Sequence, residues 1–276
     1  MTRRLAPAKI NLALHVIGQR TDGFHLLDSL VCFADFGDVV QVEVATERSL
    51  HITGPFAHNV PNDRQNLVLR AAELFTGTHG ARITLEKNLP AAAGIGGGSA
   101  DAAAALHLLS ALWQLPMPDN AALLTLGADV PVCVSGTAMR MTDVGGCLEP
   151  ISIPSFHAVL INPLIGLSTL GSFRGLKNKG NEPLGKVPGT QNVDEWLEYL
   201  AQQRNDLCAP ATKIVGEIRG ILDALDASAG CALARMSGSG ASCFGLYRSQ
   251  ELAENAAQSI RTENPNWWVQ PVKLAP

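Results

Sequence analysis

One glycine-rich loop limits what this chain can fold into and bind. Four of the five residues from 94 to 98 are glycine, and an alanine- and leucine-rich run follows them as far as Trp113. In that run Leu106, Leu109 and Trp113 recur at helical spacing, which predicts a helix opened by the loop. Because glycine has no Cβ, backbone N–H groups can approach an anion closely, and the helix directs its positive end at the same place. The loop therefore predicts a polyphosphate site; the alternative is a tight strand-to-helix turn without a ligand.

The spacing of the glycines separates this loop from two common phosphate sites. A Walker A loop needs a lysine after its last glycine, but Gly98 is followed by Ser99 and Ala100. A dinucleotide fingerprint needs a third glycine where Ser99 stands, and an acidic residue about 20 positions later at a strand end. The loop is therefore not a P-loop. A dinucleotide-dependent oxidoreductase is disfavoured but stays an alternative, as does a non-catalytic nucleotide-binding module.

Length, charge and cysteine spacing narrow the class of protein further. The 276 residues suggest about two domains, and 21 Lys and Arg against 25 Asp and Glu give a net charge of −4. That balance excludes a broad cationic surface for nucleic acid. Six cysteines without a C-x-x-C pair exclude zinc spacing and favour thiols in a reducing compartment. The longest uncharged stretch, 150–173, contains three prolines, so we expect no membrane contact. Lys9, Asn11 and Gln19 interrupt any apolar run behind the first residues, so we expect no export and a cytoplasmic location.

Hydrophobic periodicity predicts a mixture of strands and helices. A shift in composition after Gly145 and Gly146 predicts a domain boundary near residue 150, which divides the chain into 1–150 and 151–276. Strands are predicted over 8–16, 38–45, 82–85, 158–161 and 267–272, with two more flanking a turn at 238–240. A further short apolar strand is predicted from Val130 and closed by Gly136. Helices are predicted over 67–75, from the glycine loop to Trp113, over 119–127, after a cap at Asn192, over 211–225 and over 250–260.

Three motifs resemble those of one enzyme superfamily. The loop Pro90-Ala-Ala-Ala-Gly-Ile-Gly-Gly-Gly-Ser-Ala-Asp101 resembles the P-x-x-x-G-L-G-S/G-S-S-A loop of the GHMP kinases, the superfamily of galactokinase, homoserine kinase and mevalonate kinase. Residues 7–12 resemble that superfamily's first strand, and residues 237–244 resemble its C-terminal glycine loop. The resemblance implies an α+β fold of two domains, with a ribosomal-protein-S5-domain-2-like N-terminal half, a ferredoxin-like α/β C-terminal half and the active site between the halves.

Shorter segments resemble one branch of the superfamily. They are RTDGFH at 20–25, the triple glycine at 96–98, LGADVPV at 126–132 and NDL at 205–207. Members of that branch use ATP to phosphorylate the 2-hydroxyl of 4-diphosphocytidyl-2-C-methyl-D-erythritol in isoprenoid precursor synthesis. The resemblance implies the same reaction here, giving the 2-phosphate and ADP. Another GHMP kinase, of the homoserine or mevalonate type, is the alternative.

The resemblance also implies roles for individual residues. Lys9 and Asp129 would be the catalytic pair. The substrate would be held by Asn11, Phe24, His25, Asp129 and Phe173, with Phe24, His25 and Phe173 around the cytosine. ATP would be held by Asn66 and by a loop made of Pro90, Ala91, Ala92, Ala93, Gly94, Ile95, Gly96, Gly97, Gly98, Ser99 and Ala100. Two residues depart from the branch pattern: Phe24 replaces its usual tyrosine, and Ala100 stands where a second serine is common.

Phosphoryl transfer is consistent with the chemistry of these residues. The reaction needs neutralised charge and an oriented acceptor hydroxyl more than covalent work by the protein. Asp129 would accept the hydroxyl proton while Lys9 keeps Asp129 ionised; from position alone, a turn aspartate and a solvated lysine are the simpler interpretation. Mg2+ is expected with ATP, although spacing singles out no carboxylate as its ligand.

Two expectations concern partners and surface. The partner is expected to be a small-molecule cytidine diphosphate substrate, with the chain a monomer or a weak homodimer. The basic stretch 174–190 is predicted to be a mobile, solvated loop rather than a phosphate clamp.

Overall fold

The computed structural model describes residues 2–77 and 79–275, in which strands and helices are mixed along the chain. The strands are β1 (Thr2–Gln19), β2 (His25–Val44), β3 (Arg48–Thr53), β4 (Ala81–Glu86), β5 (Met139–Asp143), β6 (Cys147–Pro150), β7 (Phe156–Asn162), β8 (Cys231–Met236), β9 (Cys243–Tyr247) and β10 (Trp268–Ala275). The helices are α1 (Leu67–Glu73), α2 (Gly97–Trp113), α3 (Asn120–Leu126), α4 (Val130–Ser135), α5 (Thr169–Arg174), α6 (Val193–Ala201), α7 (Cys208–Ile214), α8 (Glu217–Ala227) and α9 (Gln250–Glu263). The α+β class is confirmed. Among the described residues, none of these helices has the length and apolarity needed to cross a membrane.

The described residues form two compact units, each built from several stretches of chain. Unit 1 consists of the described residues within Met1–Lys9, Phe36–Ala91 and Gly96–Gly136. Unit 2 consists of the described residues within Ile10–Asp35, Ala92–Ile95 and Thr137–Pro276. Both β1 and β2 contribute residues to each unit. The boundary near residue 150 stays a prediction about sequence domains.

Unit 1 combines a small sheet with helices that contain many alanines. Residues 39–44 of β2 pair antiparallel with β4, and β3 pairs parallel with β4. Ala81, Ile83 and Leu85 of β4 are buried and alternate with more exposed residues, as a strand with one covered face requires. Helix α2 packs against α1 and α4. Its residues 102–105 are all alanine and all buried, and such small side chains let neighbouring helices approach closely.

Unit 2 is organised around β7. This strand pairs antiparallel with β10 on one side and with β9 on the other, and β8 pairs with β9. Residues 158–161 of β7 are fully buried, as expected for a continuous apolar run covered on both faces. Residues 27–31 of β2 pair with β5, and β5 pairs with β6. Ile218 and Ile221 of α8 and Ile260 of α9 join the core cluster that contains Val159.

The strand predicted from Val130 is wrong, because these residues form helix α4. Pro131 lies in the first turn, where its fixed φ angle and missing N–H fit a helix. Gly136 ends the helix in the left-handed conformation, with a φ angle of 64°, and its N–H donates to the carbonyl oxygen of Val132. An apolar run this short has too few turns for periodicity to separate a helix from a buried strand.

The single helix predicted over 211–225 is also wrong, because two helices cover this region. Helix α7 ends at Ile214, Val215 is extended with a φ angle of −123°, and α8 begins after Gly216. Two β-branched residues followed by glycine have low helix propensity, which favours a break at this point. The apolar spacing continues across the break and conceals it in the sequence.

Candidate active site

Lys9 and Asp129 form an ion pair in unit 1. Lys9 lies on β1 and is 3% exposed, while Asp129 immediately precedes α4. The Lys9 Nζ to Asp129 Oδ2 distance is 2.9 Å, and the Asp129 side chain is 33% exposed. The ammonium group is therefore shielded from water, whereas the carboxylate it holds stays accessible to a ligand. The two residues that the motifs single out as a catalytic pair do meet in space.

The second half of the glycine loop packs against Lys9 and opens α2. Gly96 caps the helix with a φ angle of 65°, and its carbonyl oxygen accepts from the N–H of Ala100. A Cβ added at Gly96 would lie 3.0 Å from the Cβ and 3.1 Å from the Cε of Lys9. The first N–H groups of a helix have no acceptor one turn earlier, so Gly97 and Gly98 present theirs at the positive end of α2. This end of the loop fits an anion beside the Lys9 ammonium.

The first half of the loop has a packing role that sequence reasoning missed. A Cβ added at Gly94 would lie 2.6 Å from the Gly240 carbonyl oxygen and 2.7 Å from that of Ser237, and the φ angle of Gly94 is 73°. Ser237 Oγ donates to the Gly94 carbonyl oxygen at 3.1 Å, and the N–H of Ser242 donates to the Ala93 carbonyl oxygen at 3.0 Å. Gly94 is therefore required by close backbone contact with segment 237–242, whether or not a phosphate is bound.

A buried charge cluster lies under the start of α2 in unit 1. Lys87 Nζ donates to Asp38 Oδ2 and, at 2.7 Å, to Asp101 Oδ2. Asp38 Oδ1 accepts from the N–H groups of Asn88 at 2.6 Å and Leu89 at 2.8 Å. All three charged residues are 3% exposed or less. The cluster ties β2, the segment after β4 and the first turns of α2 together.

The protonation of this cluster follows from burial and neighbouring charge. Burial alone would lower the pKa of Lys87, but the charges of Asp101 and Asp38 outweigh it and raise that pKa. Burial raises the pKa of Asp101 well above its ordinary value despite the nearby Lys87 ammonium. Sequence analysis did not single out these residues. The available signal is weak: Asp101 is one acid within an alanine run, and Lys87 lies between a strand and Pro90.

The structure brings two predicted cytosine contacts together in unit 2. The rings of His25 and Phe173 are stacked, with centroids 4.8 Å apart and planes at 25°. Among the described residues His25 Nε2 is buried and has no hydrogen-bond partner. Burial, and then the charge of Lys179, lowers the pKa of His25, so the imidazole is neutral at pH 7. Phe24, beside it, is 64% exposed. A neutral, stacked ring with one unpaired polar atom is consistent with recognition of a base.

The two predicted asparagine contacts are already bonded to the protein. Asn11 is 1% exposed, and its Nδ2 donates to Ser29 Oγ at 2.8 Å. Asn66 caps α1: its Oδ1 accepts from the N–H of Val68 at 2.9 Å, and its Nδ2 donates to the Pro61 carbonyl oxygen at 2.8 Å. The Asn66 side chain thus has a local structural role, and its contact with ATP stays a prediction.

The basic stretch 174–190 is anchored at points along its backbone. The N–H of Leu184 donates to Asp28 Oδ2 at 2.9 Å, and Arg140 donates to the Leu184 carbonyl oxygen at 3.1 Å. The N–H of Asn181 donates to the carbonyl oxygen of Val16 at 3.1 Å. The basic side chains are exposed, as predicted: Arg174, Lys177, Lys179 and Lys186.

Comparison with known proteins gives a consistent family assignment. The model for the GHMP kinases N terminal domain matches residues 66–148, and the model for GHMP kinases C terminal matches residues 189–266. The 4-diphosphocytidyl-2-C-methyl-D-erythritol kinase of Cereibacter sphaeroides is 54% identical over 99% of both chains, and that of Roseobacter denitrificans is 46% identical over 98% of this chain and 92% of the relative.

Solved structures agree with this assignment. A crystal structure of 4-(cytidine 5'-diphospho)-2C-methyl-D-erythritol kinase is 34% identical, with a TM-score of 0.83 and full coverage of both chains. Mevalonate kinase of L. major has a TM-score of 0.67 at 14% identity, over 100% of this chain and 96% of its own, which shows a shared fold alone.

Proposed function

The chain belongs to the GHMP kinases, and from that premise we propose that it transfers the γ-phosphoryl group of ATP to the 2-hydroxyl of 4-diphosphocytidyl-2-C-methyl-D-erythritol. The observation that carries the proposal is full-length similarity, at 46 to 54% identity, to relatives that bear the name of this kinase. Membership of a kinase family removes the reason to consider a dinucleotide-dependent oxidoreductase. Solved structures of the homoserine and mevalonate kinase type share the fold at only 10 to 16% identity.

In this proposal Asp129 accepts the proton of the acceptor hydroxyl as its oxygen bonds to the γ-phosphorus of ATP, while the bond from that phosphorus to the bridging oxygen breaks and ADP leaves. Its partly exposed carboxylate can be reached by a substrate, and the Lys9 ammonium, 2.9 Å away, holds that carboxylate in place. Because Lys9 is 3% exposed, water screens its charge poorly, so the same ammonium stabilises negative charge that develops near Asp129. Lys9 and Asp129 thus act as one unit.

The nucleotide is proposed to bind along the loop from Pro90 to Ala100. The N–H groups at the start of α2 donate to phosphate oxygens, and the absence of a Cβ at Gly97 and Gly98 keeps that approach open. Ala100 is 1% exposed, so its methyl group is buried and offers no hydrogen bond to phosphate. Mg2+, expected with ATP, would supply further neutralisation of phosphate charge when bound.

The cytosine ring is proposed to bind at the stacked pair of His25 and Phe173. The neutral His25 imidazole carries an unpaired Nε2 that can bond the base edge once the base replaces the groups that now cover it, and Phe24 offers an exposed ring face. Phe24 keeps the stacking surface of the tyrosine that is usual at this position but lacks its hydroxyl group. Base discrimination therefore depends on His25 and the surrounding backbone rather than on a phenol.

A panel of acceptors tests the proposed function. ADP release is measured with 4-diphosphocytidyl-2-C-methyl-D-erythritol, mevalonate, homoserine and galactose, each at equal concentration with saturating ATP and Mg2+. We expect ADP release with the cytidine substrate only. In the phosphorus NMR spectrum of the product, the transferred phosphate should show coupling to carbon 2 of the acceptor. Faster release with any other acceptor, or equal release without an acceptor, would contradict the proposal.

A further inference from the structure

Segment 205–207 is the NDL motif and has no part in the chemistry described above. The side chain of its first residue, Asn205, nevertheless makes several buried hydrogen bonds. Asn205 is 7% exposed, and its Nδ2 donates to the carbonyl oxygens of Met236 at 2.7 Å and Gly238 at 2.9 Å. Its Oδ1 accepts from the N–H of Leu207 at 2.9 Å. Two carbonyl oxygens need donors and one N–H needs an acceptor, so only one orientation of the amide satisfies all three.

The backbone that carries Asn205 is fixed to β1. The N–H of Leu14 donates to the Arg204 carbonyl oxygen and the N–H of Asp206 donates to the Leu14 carbonyl oxygen, both at 2.9 Å. Asp206 Oδ2 also accepts from the N–H of Val16 at 2.7 Å. Because bonds to β1 hold both sides of Asn205, its side chain reaches segment 237–242 from a rigid base.

Segment 237–242 in turn touches the predicted ATP loop through its backbone. A Cβ added at Gly238 would lie 2.5 Å from the Gly94 carbonyl oxygen, and one added at Gly94 would lie 2.6 Å from the Gly240 carbonyl oxygen. Ser237 Oγ accepts from the N–H of Asn11 at 3.1 Å and donates to the Gly94 carbonyl oxygen at 3.1 Å. With the two backbones this close, a shift of Gly238 toward Gly94 must displace Gly94.

We propose that Asn205 is a positioning residue for nucleotide binding: its amide fixes the carbonyl groups of Met236 and Gly238, and segment 237–242 then holds Gly94 in the conformation that the ATP loop needs. The proposal rests on the proposed function, in which residues 90–100 bind ATP. The positioning role of Asn205 differs from a purely structural role in one measurable respect. A residue that only stabilises unit 2 affects unfolding, whereas Asn205 also sets nucleotide affinity.

Titration calorimetry with Mg2+ and ADP, without any acceptor, tests this proposal on the full chain. Asn205→Asp keeps the size and the acceptor of the side chain but turns an oxygen toward two carbonyl oxygens. We expect its ADP dissociation constant to rise at least about tenfold, the change that follows from losing one to two buried hydrogen bonds. The readout is ADP binding, because segment 237–242 also accepts a hydrogen bond from Ser172 Oγ, next to Phe173, through the Ser239 carbonyl oxygen at 2.9 Å.

A second variant and a control keep the test decisive if Asn205→Asp does not fold. Ser237→Ala removes the link to Gly94 from the other side and should weaken ADP binding in the same direction. Ser228→Ala removes the hydrogen bonds that its Oγ makes with the Leu225 carbonyl oxygen (2.6 Å) and Tyr247 Oη (2.7 Å) in the same unit. Neither partner belongs to the ATP loop or to segment 237–242, so this variant should bind ADP as the wild type does.

The outcomes separate this proposal from the proposed function. If Asn205→Asp and Ser237→Ala bind ADP as tightly as Ser228→Ala while the wild type phosphorylates the cytidine substrate, the positioning role is overturned and the function stands. If the wild type binds ADP but phosphorylates a different acceptor, the substrate assignment fails, and weaker ADP binding by the two variants still supports the role of Asn205.

Discussion

Replacing one at a time the two carboxylates that surround Lys87 should give unequal losses of stability. Asp38 is fully buried and accepts from Lys87 and from the N–H groups of Asn88 and Leu89. Asp101 accepts from Lys87 at 2.7 Å, while its Oδ1 has no partner among the described residues. The fold therefore depends on the carboxylate of Asp38 much more than on that of Asp101.

The magnitudes follow from these contacts. In Asp38→Asn the amide oxygen can still accept from the two N–H groups, but the NH2 group then faces the Lys87 ammonium. Removing one partner of a buried ion pair costs about 3 to 5 kcal/mol, and because Asp101 still pairs with Lys87 we expect a loss of about 3 kcal/mol. In Asp101→Asn the amide oxygen can accept from Lys87, so we expect a change within about 1 kcal/mol.

Urea unfolding of both variants over a range of pH measures these differences. The raised pKa of Asp101 means that the folded protein binds this proton more tightly than the unfolded chain does. Wild-type stability therefore decreases as the pH rises from about 4 through the raised pKa of Asp101, and Asp101→Asn removes that decrease. Equal losses for the two variants, or a larger loss for Asp101→Asn, would refute the reasoning.

Three further predictions concern the glycine loop and the cytosine contacts. Gly94→Ala should lower the free energy of unfolding by more than about 2 kcal/mol, because its Cβ would lie 2.6 Å from the Gly240 carbonyl oxygen at a positive φ angle. Gly98→Ala, whose Cβ makes only an ordinary contact at 3.5 Å, should leave thermal unfolding nearly unchanged while raising the KM for ATP; similar unfolding for both variants would contradict this difference. Phe24 is 64% exposed, so Phe24→Ala should leave the unfolding temperature unchanged. The same variant should raise the KM for the cytidine substrate about tenfold or more, and an equal rise in the KM for ATP would argue against a cytosine contact. Because the pKa of His25 is lowered below about 6.5, that KM should be constant between about pH 7 and 8 and rise only at more acidic pH, and His25→Gln should abolish the acid rise.

Local sequence patterns predict most of the helices and strands because their physical causes are local. The glycines before α2 and the continuous apolar run of β7 both appear in the structure as predicted. Asn192 caps α6 by accepting from the N–H groups of Asp194 and Glu195. The prediction fails at α4, where the helix is too short for its period to be visible in the sequence.

The candidate site contains contacts that no local pattern predicts. Motif resemblance singles out His25 and Phe173, but only the folded chain shows that their rings stack. The cluster around Lys87 joins residues from three separate segments, and no spacing rule connects a lysine after β4 to acids on β2 and α2. Gly94 was predicted for phosphate access, and its close contact with Gly240 is a tertiary effect.

The central claim is that Asp129, held by Lys9, is the base of a phosphoryl transfer. Asp129→Asn keeps an oxygen that can accept from Lys9 but cannot take up the hydroxyl proton. Asp119→Asn is a matched control, since Asp119 is an exposed carboxylate in the same unit whose Oδ1 caps α3 by accepting from the N–H of Ala122 at 2.8 Å, a bond that asparagine can also make.

The most direct measurement is the rate of ADP release at saturating ATP and 4-diphosphocytidyl-2-C-methyl-D-erythritol, with ADP affinity measured in parallel by calorimetry. For Asp129→Asn we expect kcat to fall by at least about 10²-fold, since a positioned base contributes roughly 10² to 10⁴, while ADP affinity and the activity of Asp119→Asn stay near wild type. A kcat for Asp129→Asn close to that of the wild type would contradict the claim.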